Sequence, residues 1–293
     1  MPRPSSPGTV GEGRQECHDV FCVLVVPIAA RLGSDEIWIA LTRPTWRTDS
    51  MARSAESHQQ PTVPPHLSRS IDELDALPAE ELLVWAFEQF GTRLCVTCSW
   101  QKQSSVLVHM LSTLGIEPTI VELDTHLFFR ESYETRQRLV DKYGIHLVQP
   151  EIPSIAEQHK AEGPNLWESD PDRCCHIRKV EPLIGALGPY DAWVSGIRRG
   201  QSPSRAGIKK VQWSERYELY KLHPLADWDE KSVWTYITSN DIPYNPLHDA
   251  GYRSIGCMPC TRPIRTGEEE RAGRWAGSDK LECGLHLENI DKE

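Results

Sequence analysis

The sequence lacks excess positive charge, long apolar runs and internal repeats. Its formal net charge is −10 at pH 7, so it offers no general basic surface of the kind that nucleic-acid binding requires. An early apolar piece, residues 20–30, is interrupted by Pro27 and is too short to span a bilayer. We therefore expect a soluble chain with no nucleic-acid partner and no membrane. Any anionic ligand must meet locally concentrated positive charge.

The sequence also lacks the even number of cysteines that a disulfide framework would have. The chain has 9 cysteines in 293 residues, an odd number without knot-like spacing, so a secreted disulfide scaffold is not expected. A secretory leader is not indicated either, because acidic residues precede the apolar piece where a signal peptide carries positive charge. The thiols are better interpreted as reduced and the protein as cytoplasmic.

The composition divides the chain into three parts. Residues 1–66 are rich in Pro, Ser, Arg and His and are predicted to be a disordered or mis-annotated extension. We expect Met51 to be the biological start and residues 1–50 to be dispensable. Residues 67–262 carry the patterns of an α/β domain, and residues 263–293 are predicted to form a C-terminal tail, within a stretch that is irregular from Asp241 onward.

Strand and helix patterns alternate from residue 93 onward, after two helix-like pieces in residues 68–90. Strands separated by helices of this length indicate a parallel sheet with right-handed crossovers. The fold class is therefore predicted to be α/β. The predicted strands cover residues 93–99, 118–123, 144–148, 192–196 and 216–222, and the predicted helices cover residues 103–114, 130–143, 173–187, with a kink or break at Pro182, and 229–239.

The turns after the first two strands are candidate binding sites, because ligands of open α/β sheets bind beyond the carboxyl ends of the strands. The first turn begins at Ser99 and leads into a helix, whose N-terminal amides favour an anion. It has no glycine-rich phosphate loop, so an ordinary polar turn is the alternative. The second turn, Leu123-Asp124, precedes two aromatic residues, which suits a nucleoside, although a helix-capping Asp is an equally simple interpretation.

Four cysteines form the stronger signal: Cys174 and Cys175 are adjacent, and Cys257 and Cys260 form a C-x-x-C pair. Four thiolates would satisfy a structural zinc ion. Adjacent side chains diverge, however, whereas a cubane iron–sulfur cluster has separate iron corners for neighbouring cysteines. The geometry favours the cluster over zinc, and free core cysteines remain a third alternative.

A second C-x-x-C pair, Cys95 and Cys98, lies in a predicted strand. Its two side chains would face opposite sides of the sheet, so chelation is not expected there.

Basic residues are concentrated around the four candidate ligands. Within an acidic chain, such grouping indicates an oxyanion or phosphate pocket, although a solvated basic face is the alternative. The residues are Arg178, Lys179, Arg198, Arg199, Arg205, Arg271 and Arg274.

Cys283 is the candidate nucleophile, in the sequence Glu-Cys-Gly-Leu-His that ends at His286. Nearby positive charge favours the thiolate, which is the attacking form, and Gly284 would let the tail bend onto a site. An idle tail cysteine is the alternative.

These motifs, in this order, resemble the assimilatory adenylyl-sulfate reductases of the phosphoadenylyl-sulfate reductase family. The resemblance runs from about Ser68 to His286 and is most specific at residues 174–180, 256–261 and 282–286. It implies a Rossmann-like parallel sheet of the adenine-nucleotide alpha-hydrolase (PP-loop) type. It also implies one 4Fe-4S cluster per subunit on the four cysteines, because family members with both cysteine pairs carry that cluster.

The resemblance further implies the reaction and the residues that perform it. Cys283 would attack the sulfur of adenosine 5'-phosphosulfate, expel AMP and become an S-sulfocysteine, from which reduced thioredoxin or a similar dithiol donor would release sulfite. This is a step of assimilatory sulfate reduction and cysteine biosynthesis. Residues 67–262 would bind nucleotide and cluster, residues 263–293 would be the catalytic tail, and a homo-oligomer is possible. The residues expected to hold the phosphosulfate are Lys179, Arg205, Arg271, Arg274 and His286, and those expected to hold the adenosine are Ser99, Leu123 and Asp124.

One departure from the family pattern concerns the turn after the first strand. Many relatives have a Ser-Gly-Gly-like loop there, whereas this chain has residues 99–105 with Lys102 among them. Lys102 could accept a 3'-phosphate, so a reductase of 3'-phosphoadenylyl sulfate, or a bifunctional enzyme, is the main alternative. An ATP-using sulfurtransferase or ligase and an iron–sulfur or zinc regulator are more distant alternatives, since the chain shows neither a glycine-rich phosphate loop nor a DNA-binding element.

Overall fold

The structure is a computed structural model that describes residues 66–286. The predicted extension, residues 1–66, therefore lies outside the described residues except for His66, and so does the last part of the predicted tail. In the described range a mixed six-stranded sheet is packed between helices. None of the helices in this range is long and apolar enough to cross a membrane.

The elements follow the alternation that the sequence predicts. The helices are α1 (Ile71–Ala76), α2 (Ala79–Phe90), α3 (Lys102–Thr113), α4 (Arg130–Tyr143), α5 (Ile155–Glu162), α6 (Leu166–Ser169), α7 (Pro171–Cys175), α8 (Glu181–Leu187) and α9 (Glu230–Ser239). The strands are β1 (Leu94–Cys98), β2 (Thr119–Glu122), β3 (Leu147–Val148), β4 (Ala192–Val194), β5 (Val211–Ser214) and β6 (Leu219–Leu222).

The sheet order is β3-β2-β1-β4-β6-β5, and every neighbouring pair except β5 and β6 is parallel. The chain builds outward from β1 through β2 to β3, and then places β4 on the other side of β1. This reversal creates a switch point between β1 and β4, where open α/β sheets bind their ligands. The predicted α/β fold class is confirmed.

The last two strands correct the predicted strand at residues 216–222. Strand β6 begins only at Leu219, and β5, which the sequence did not predict, pairs with it in antiparallel register from Val211 opposite Leu222 to Ser214 opposite Leu219. The intervening residues form a turn in which Glu218 has a φ of 51°. Residues 216 and 217 therefore belong to a hairpin turn.

Successive residues of β1 contribute to two separate hydrophobic clusters. Leu94 and Val96 pack with α2 and α3 in the larger cluster, whereas Cys95 packs in a smaller one with Trp193 and with α8. Cys98 belongs to the larger cluster. Cys95 and Cys98 therefore face opposite sides of the sheet, as predicted.

The predicted helix at residues 173–187 is interrupted, but not at Pro182. A π-helical turn, His176–Val180, separates α7 from α8, and the backbone N–H of Glu181 donates to the carbonyl of His176. Pro182 lies in the first turn of α8, where its missing N–H leaves no bond unmade. The π turn inserts an extra residue directly after the adjacent cysteines, and such turns are frequent at functional sites.

Helix α5 was not predicted, although a start signal was present. Ser154 and Glu157 form a capping box, in which each side chain accepts a hydrogen bond from the other's backbone N–H. After α9, the described residues contain only the 3-10 turns Pro246–His248 and Met258–Cys260 and one isolated bridge between Thr261 and Arg274. This agrees with the prediction that the chain is irregular from Asp241 onward.

Candidate functional site

A cavity of about 150 Å³, the strand-end cavity, lies at the carboxyl ends of β1, β2 and β4. Residues from the start of α3, from the π turn and from the tail complete its wall. Eight of the nine residues that the resemblance assigns to substrate or catalysis line it: Ser99, Leu123, Lys179, Arg205, Arg271, Arg274, Cys283 and His286.

The turn after β1 is held in place by a strained residue. Trp100 has a φ of 56°, a left-handed conformation that is a genuine outlier for a bulky residue. Its indole is fully buried, and Nε1 donates to Oε1 of Glu122 at 2.7 Å. This anchored residue directs Ser99, Gln101 and the first turn of α3 toward the strand-end cavity.

The strand-end cavity is strongly cationic. Its lining, as far as the chain is described, contains Lys179, Arg205, Arg271 and Arg274 and no carboxylate. Several buried nitrogen atoms of the lining have no hydrogen-bond partner within the described residues: Gln103 Nε2, Arg271 Nε, Arg274 Nε and His286 Nδ1. Buried polar groups are normally paired, so this surface is suited to an anionic ligand that accepts several hydrogen bonds.

Cys283 is partly buried at the wall of this cavity. Burial acts to raise the pKa of its thiol, but the charge of Lys179 and a hydrogen bond from the backbone of Leu285 outweigh it, and the pKa lies below its ordinary value. A lowered thiol pKa is the property that nucleophilic cysteines require at neutral pH.

His286 closes the cavity beside Trp193. The two rings are stacked, with centroids 5.1 Å apart and planes 16° apart. Burial and the charges of Arg205 and Lys221 hold the pKa of His286 well below its usual range. The imidazole is therefore neutral at pH 7 and interacts with a ligand as a hydrogen-bonding group, with no charge of its own.

The four candidate ligands line a second, smaller space, the cysteine cavity. Its wall consists of Cys174 and Cys175 from α7, Cys257 and Cys260, Arg178 and Lys179 from the π turn, and Leu127, Pro171 and Trp275. Lys179 therefore lines both cavities. The two cysteine pairs therefore share one cavity with Arg178 and Lys179, as the sequence reasoning expected, whereas Arg198 and Arg199 line neither cavity and pair with Glu270 and Asp75.

Three of the four thiols of the cysteine cavity are buried, Cys260 is partly exposed, and two of the sulfur atoms lie near polar side chains. Burial, chiefly, raises the pKa of Cys175 to about 11 and that of Cys260 to about 12. Thr125 Oγ1 lies 3.4 Å from the sulfur of Cys257, and Gln158 Nε2 lies 3.9 Å from the sulfur of Cys174. Binding a cation there would have to release protons, as thiolate coordination does in general.

As they stand, the four thiols are not arranged around a single ion. Throughout residues 66–286, no group of three or more His, Cys, Asp or Glu side chains could hold a metal ion. The donor chemistry nonetheless suits a thiolate-bound group, because four cysteines, three of them buried, share one cavity with two cationic side chains.

Two residues singled out in the sequence lie outside the lining of the strand-end cavity. Asp124 lines a separate cleft, where its Oδ1 accepts hydrogen bonds from the backbone of His126 at 2.9 Å and from Tyr133 at 2.8 Å. It orders the turn after β2 but does not cap α4, whose N-cap residue is Phe129. Lys102 is 1% exposed, and its Nζ donates to Glu230 Oε1 at 3.0 Å, outside the strand-end cavity.

Sequence reasoning missed several residues of the strand-end cavity. Gln103, Ser195, Gly196 and Gln201 all line it. Ser195 and Gly196 directly follow β4, so the rule that directs attention to strand ends could have found them. Gln103 lies in the first turn of α3, and no sequence signal distinguishes it from its neighbours.

Comparisons with known proteins place the chain among sulfonucleotide reductases. The phosphoadenosine phosphosulfate reductase domain matches residues 93–263. A protein of Staphylococcus epidermidis named adenosine 5'-phosphosulfate reductase is 43% identical over 212 residues, which cover 71% of this chain and 87% of the relative. Proteins of the same name from Lysinibacillus sphaericus and Bacillus subtilis are 42% and 43% identical and cover 76% and 71% of this chain, and 96% and 90% of the relatives.

A solved structure is similar as well. The phosphoadenylyl-sulfate (PAPS) reductase from Candida auris, in a phosphate complex, is 31% identical with a TM-score of 0.58, and the match covers 66% of this chain and 96% of that one. The matching domain spans more than half of the chain, and the curated relatives are matched over most of their length. The chain therefore belongs to the phosphoadenosine phosphosulfate reductase family.

Proposed function

We propose that this chain reduces adenosine 5'-phosphosulfate to sulfite and AMP, with Cys283 as the nucleophile. The observation that carries the proposal is that Cys283, with its lowered pKa, shares one cavity with four cations and with the strand ends of a nucleotide-binding type of sheet. Relatives at 42–43% identity that are named adenosine 5'-phosphosulfate reductase support the same substrate.

The lining of the cavity offers groups for both parts of this nucleotide. Val121, Leu123, Phe128 and Ile197 are among its apolar members, which suit an adenine ring. Lys179, Arg271, Arg274 and the neutral His286 are among its polar members, and the unpartnered nitrogen atoms of Arg271, Arg274 and His286 suit the oxygens of a phosphosulfate. Donors fixed in this way stabilise the charge that moves onto the phosphate as the sulfur leaves.

The reaction runs in two thiol steps. The Cys283 thiolate attacks the substrate's sulfur, the sulfur–oxygen bond to AMP breaks, and the bonding pair leaves with AMP, which gives an S-sulfocysteine. A thiolate of a dithiol donor such as thioredoxin then attacks the Cys283 sulfur and expels sulfite. The donor's second thiol resolves the mixed disulfide and restores Cys283. The donor supplies the two electrons and ends as a disulfide.

We further propose that Cys174, Cys175, Cys257 and Cys260 hold a 4Fe-4S cluster, one per chain. Four sulfur donors in one buried cavity fit the four iron corners of a cubane. When bound, the cluster would supply an electrostatic influence and no electrons. Lys179, which lines both cavities, is the residue through which that influence would reach the substrate's anionic part.

A thiol-based reaction of this kind suits a reducing compartment, so we place it in the cytoplasm, in assimilatory sulfate reduction and cysteine biosynthesis.

The main alternative is 3'-phosphoadenylyl sulfate as substrate, and similarity to the Candida auris enzyme favours it. Against it, Lys102, the cation in the turn after β1, is engaged by Glu230 and lies outside the cavity lining. We therefore expect a preference for the nucleotide without the 3'-phosphate.

The test is release of sulfite from each nucleotide by protein purified without oxygen, with reduced thioredoxin as donor and iron counted on the same sample. We expect sulfite mainly from adenosine 5'-phosphosulfate and about four irons per chain. Comparable rates with both nucleotides would make the enzyme bifunctional. Absence of sulfite from either nucleotide, with iron present, would refute the proposed reaction.

Two cysteine variants sharpen this test. Cys283→Ser should abolish sulfite release and leave the iron content unchanged. Cys17→Ser is the matched control, since it removes a thiol that the proposal does not use, and it should retain both properties. Substitution of Cys257 by serine should remove iron, and iron retained in that variant would contradict the assigned ligands.

A further inference from the structure

We infer that Glu282 is a positioning residue that seats Cys283 at the strand-end cavity, and that Arg205 acts through it on the tail. This assigns Arg205 a different role from the substrate contact that the family resemblance implies. The inference rests on the proposed function, because it concerns how the nucleophile of that reaction is held.

Glu282 and Arg205 form a buried, bidentate ion pair. Arg205 Nε donates to Glu282 Oε1 at 2.9 Å, and Nη2 donates to Oε2 at 2.8 Å. Both side chains are nearly inaccessible, at 9% and 5% exposed. Paired donors on one carboxylate fix its orientation as well as its position, and Glu282 is covalently next to Cys283.

Each nitrogen of Arg205 already donates a hydrogen bond to the protein, and one further N–H remains on each of Nη1 and Nη2. Its remaining group, Nη1, donates to Gln201 Oε1 at 2.5 Å. Arg271 differs, since its Nη2 donates to both Glu282 Oε2 and the carbonyl of Leu281 at 3.0 Å, whereas its Nε has no partner in the described chain. The two arginines thus differ in their contacts, because all three nitrogens of Arg205 have partners within the protein, whereas Nε of Arg271 has none in the described chain.

The other side of Cys283 is held through the backbone. Three consecutive carbonyl groups of the tail accept hydrogen bonds from the β5–β6 hairpin: Gly284 from Arg216 Nη1 at 2.8 Å, Leu285 from the Tyr217 hydroxyl at 3.1 Å, and His286 from Lys221 Nζ at 3.2 Å. Cys283 therefore lies between a carboxylate contact on one side and three carbonyl contacts on the other. Fixing both flanks restricts where its sulfur can lie.

Such restriction matters because displacement of a reacting group by about 1 Å can cost on the order of 100-fold in rate. If Glu282 positions Cys283, Glu282→Gln should lower kcat about 10- to 100-fold while the KM for adenosine 5'-phosphosulfate changes little. Arg205→Gln should produce the same loss. The double variant should be no worse than Glu282→Gln alone, since the contact between Arg205 and Glu282 is already lost in that variant.

If Arg205 holds the substrate instead, the pattern differs. Arg205→Gln would then raise KM, Glu282→Gln would not, and the two losses would multiply in the double variant. That outcome would overturn the inference. Glu268→Gln is the matched control, because Glu268 is also a tail carboxylate that pairs with an arginine, Arg262 at 2.8 Å, but does not line the cavity. It should leave kcat and KM unchanged.

A second measurement does not depend on activity. Amide hydrogen exchange of residues 281–286 should become faster in Glu282→Gln, in Arg205→Gln and in Tyr217→Phe, which removes one hydroxyl and leaves the ring, and stay at the wild-type rate in Glu268→Gln. Unchanged exchange in the first three variants would refute the seating role. This readout remains valid if the wild-type protein releases no sulfite, so failure of the inference and failure of the proposed reaction are distinguishable.

Discussion

At the scale of single residues, the reactivity of Cys283 depends on a balance between burial and charge. Burial raises the pKa of the thiol, and the positive charge of Lys179 is the largest influence that lowers it. The net shift is downward, so the thiolate persists below the ordinary titration range of cysteine, and reactivity is lost as the pH falls through the lowered pKa.

Lys179→Met should therefore move this profile to higher pH. The substitution removes the lowering charge and leaves the burial, so the pKa of Cys283 rises. The measurement is the rate of alkylation of Cys283 against pH, followed by mass spectrometry. Lys209→Met, at an exposed lysine, should leave the profile in place. An unchanged profile in Lys179→Met would show that another group sets the ionisation.

Gly256 provides a second residue-scale prediction, about substrate affinity. A Cβ at this position would collide with the guanidinium of Arg274, the far end of a flexible side chain, so the guanidinium would move and the fold would remain. We expect Gly256→Ala to raise the KM for adenosine 5'-phosphosulfate about 10-fold, as loss of a charged hydrogen bond would. Gly207→Ala, where a Cβ meets no atom within 4 Å, is the control. A wild-type KM in Gly256→Ala would remove Arg274 from the substrate contacts.

At the scale of secondary-structure elements, the approach of β4 to α3 shapes the floor of the strand-end cavity. A Cβ at Gly196, just after β4, would lie 2.9 Å from the Cβ of Gln103 and 3.5 Å from a methyl group of Leu107. The Cβ of Gln103 is attached directly to the backbone of α3, so α3 itself would have to shift. Glycine is therefore required at this position because α3 packs closely against it, and not because the backbone adopts a left-handed conformation.

Gly196→Ala should accordingly destabilise the protein by about 1–3 kcal/mol, the usual cost of overpacking. The free energy of unfolding from denaturant titration measures this loss. Gly200→Ala, with no atom within 4 Å of the added Cβ, should be neutral or slightly stabilising. Equal stability of Gly196→Ala and wild type would mean that α3 can move away without cost.

The elements also show how far the sequence could predict the structure. The apolar patterns of β1, β2 and α3 predicted these elements, and packing reinforces them. Strand β5 was not predicted, because its four residues directly precede a polar turn and the sequence does not distinguish them from that turn. The directions of Asp124 and Lys102 could not be predicted, since they depend on Tyr133 and Glu230, partners that only the folded chain brings near.

At the scale of the whole molecule, both cavities are built from distant parts of the chain. The cysteine cavity joins α7 to residues 257–260, and the strand-end cavity joins β1 to the tail. The tail end, residues 281–286, contributes Cys283 and His286 to the strand-end cavity and nothing to the lining of the cysteine cavity.

A chain that ends at Lys280 should therefore keep its iron and lose its activity. The sheet and the four cysteines precede the cut, so folding and iron content should match those of the full chain, while sulfite release should fall to background. Iron analysis and the sulfite assay check this, and equilibrium dialysis with AMP should still detect nucleotide binding. Loss of iron on truncation would show that the tail end supports the cysteine cavity directly.

Lys179 has one charge that faces both cavities, so it links the ionisation of the thiols in the cysteine cavity to anion binding in the strand-end cavity. Thiolates in the cysteine cavity and an anion in the strand-end cavity both lower their free energy by approaching the same ammonium group. Because both partners are anionic, binding or ionisation of one makes the other less favourable, and thermodynamic reciprocity requires the two changes in free energy to be equal. An anion that binds more weakly once the thiols ionise must raise the pKa of those thiols by the same free energy.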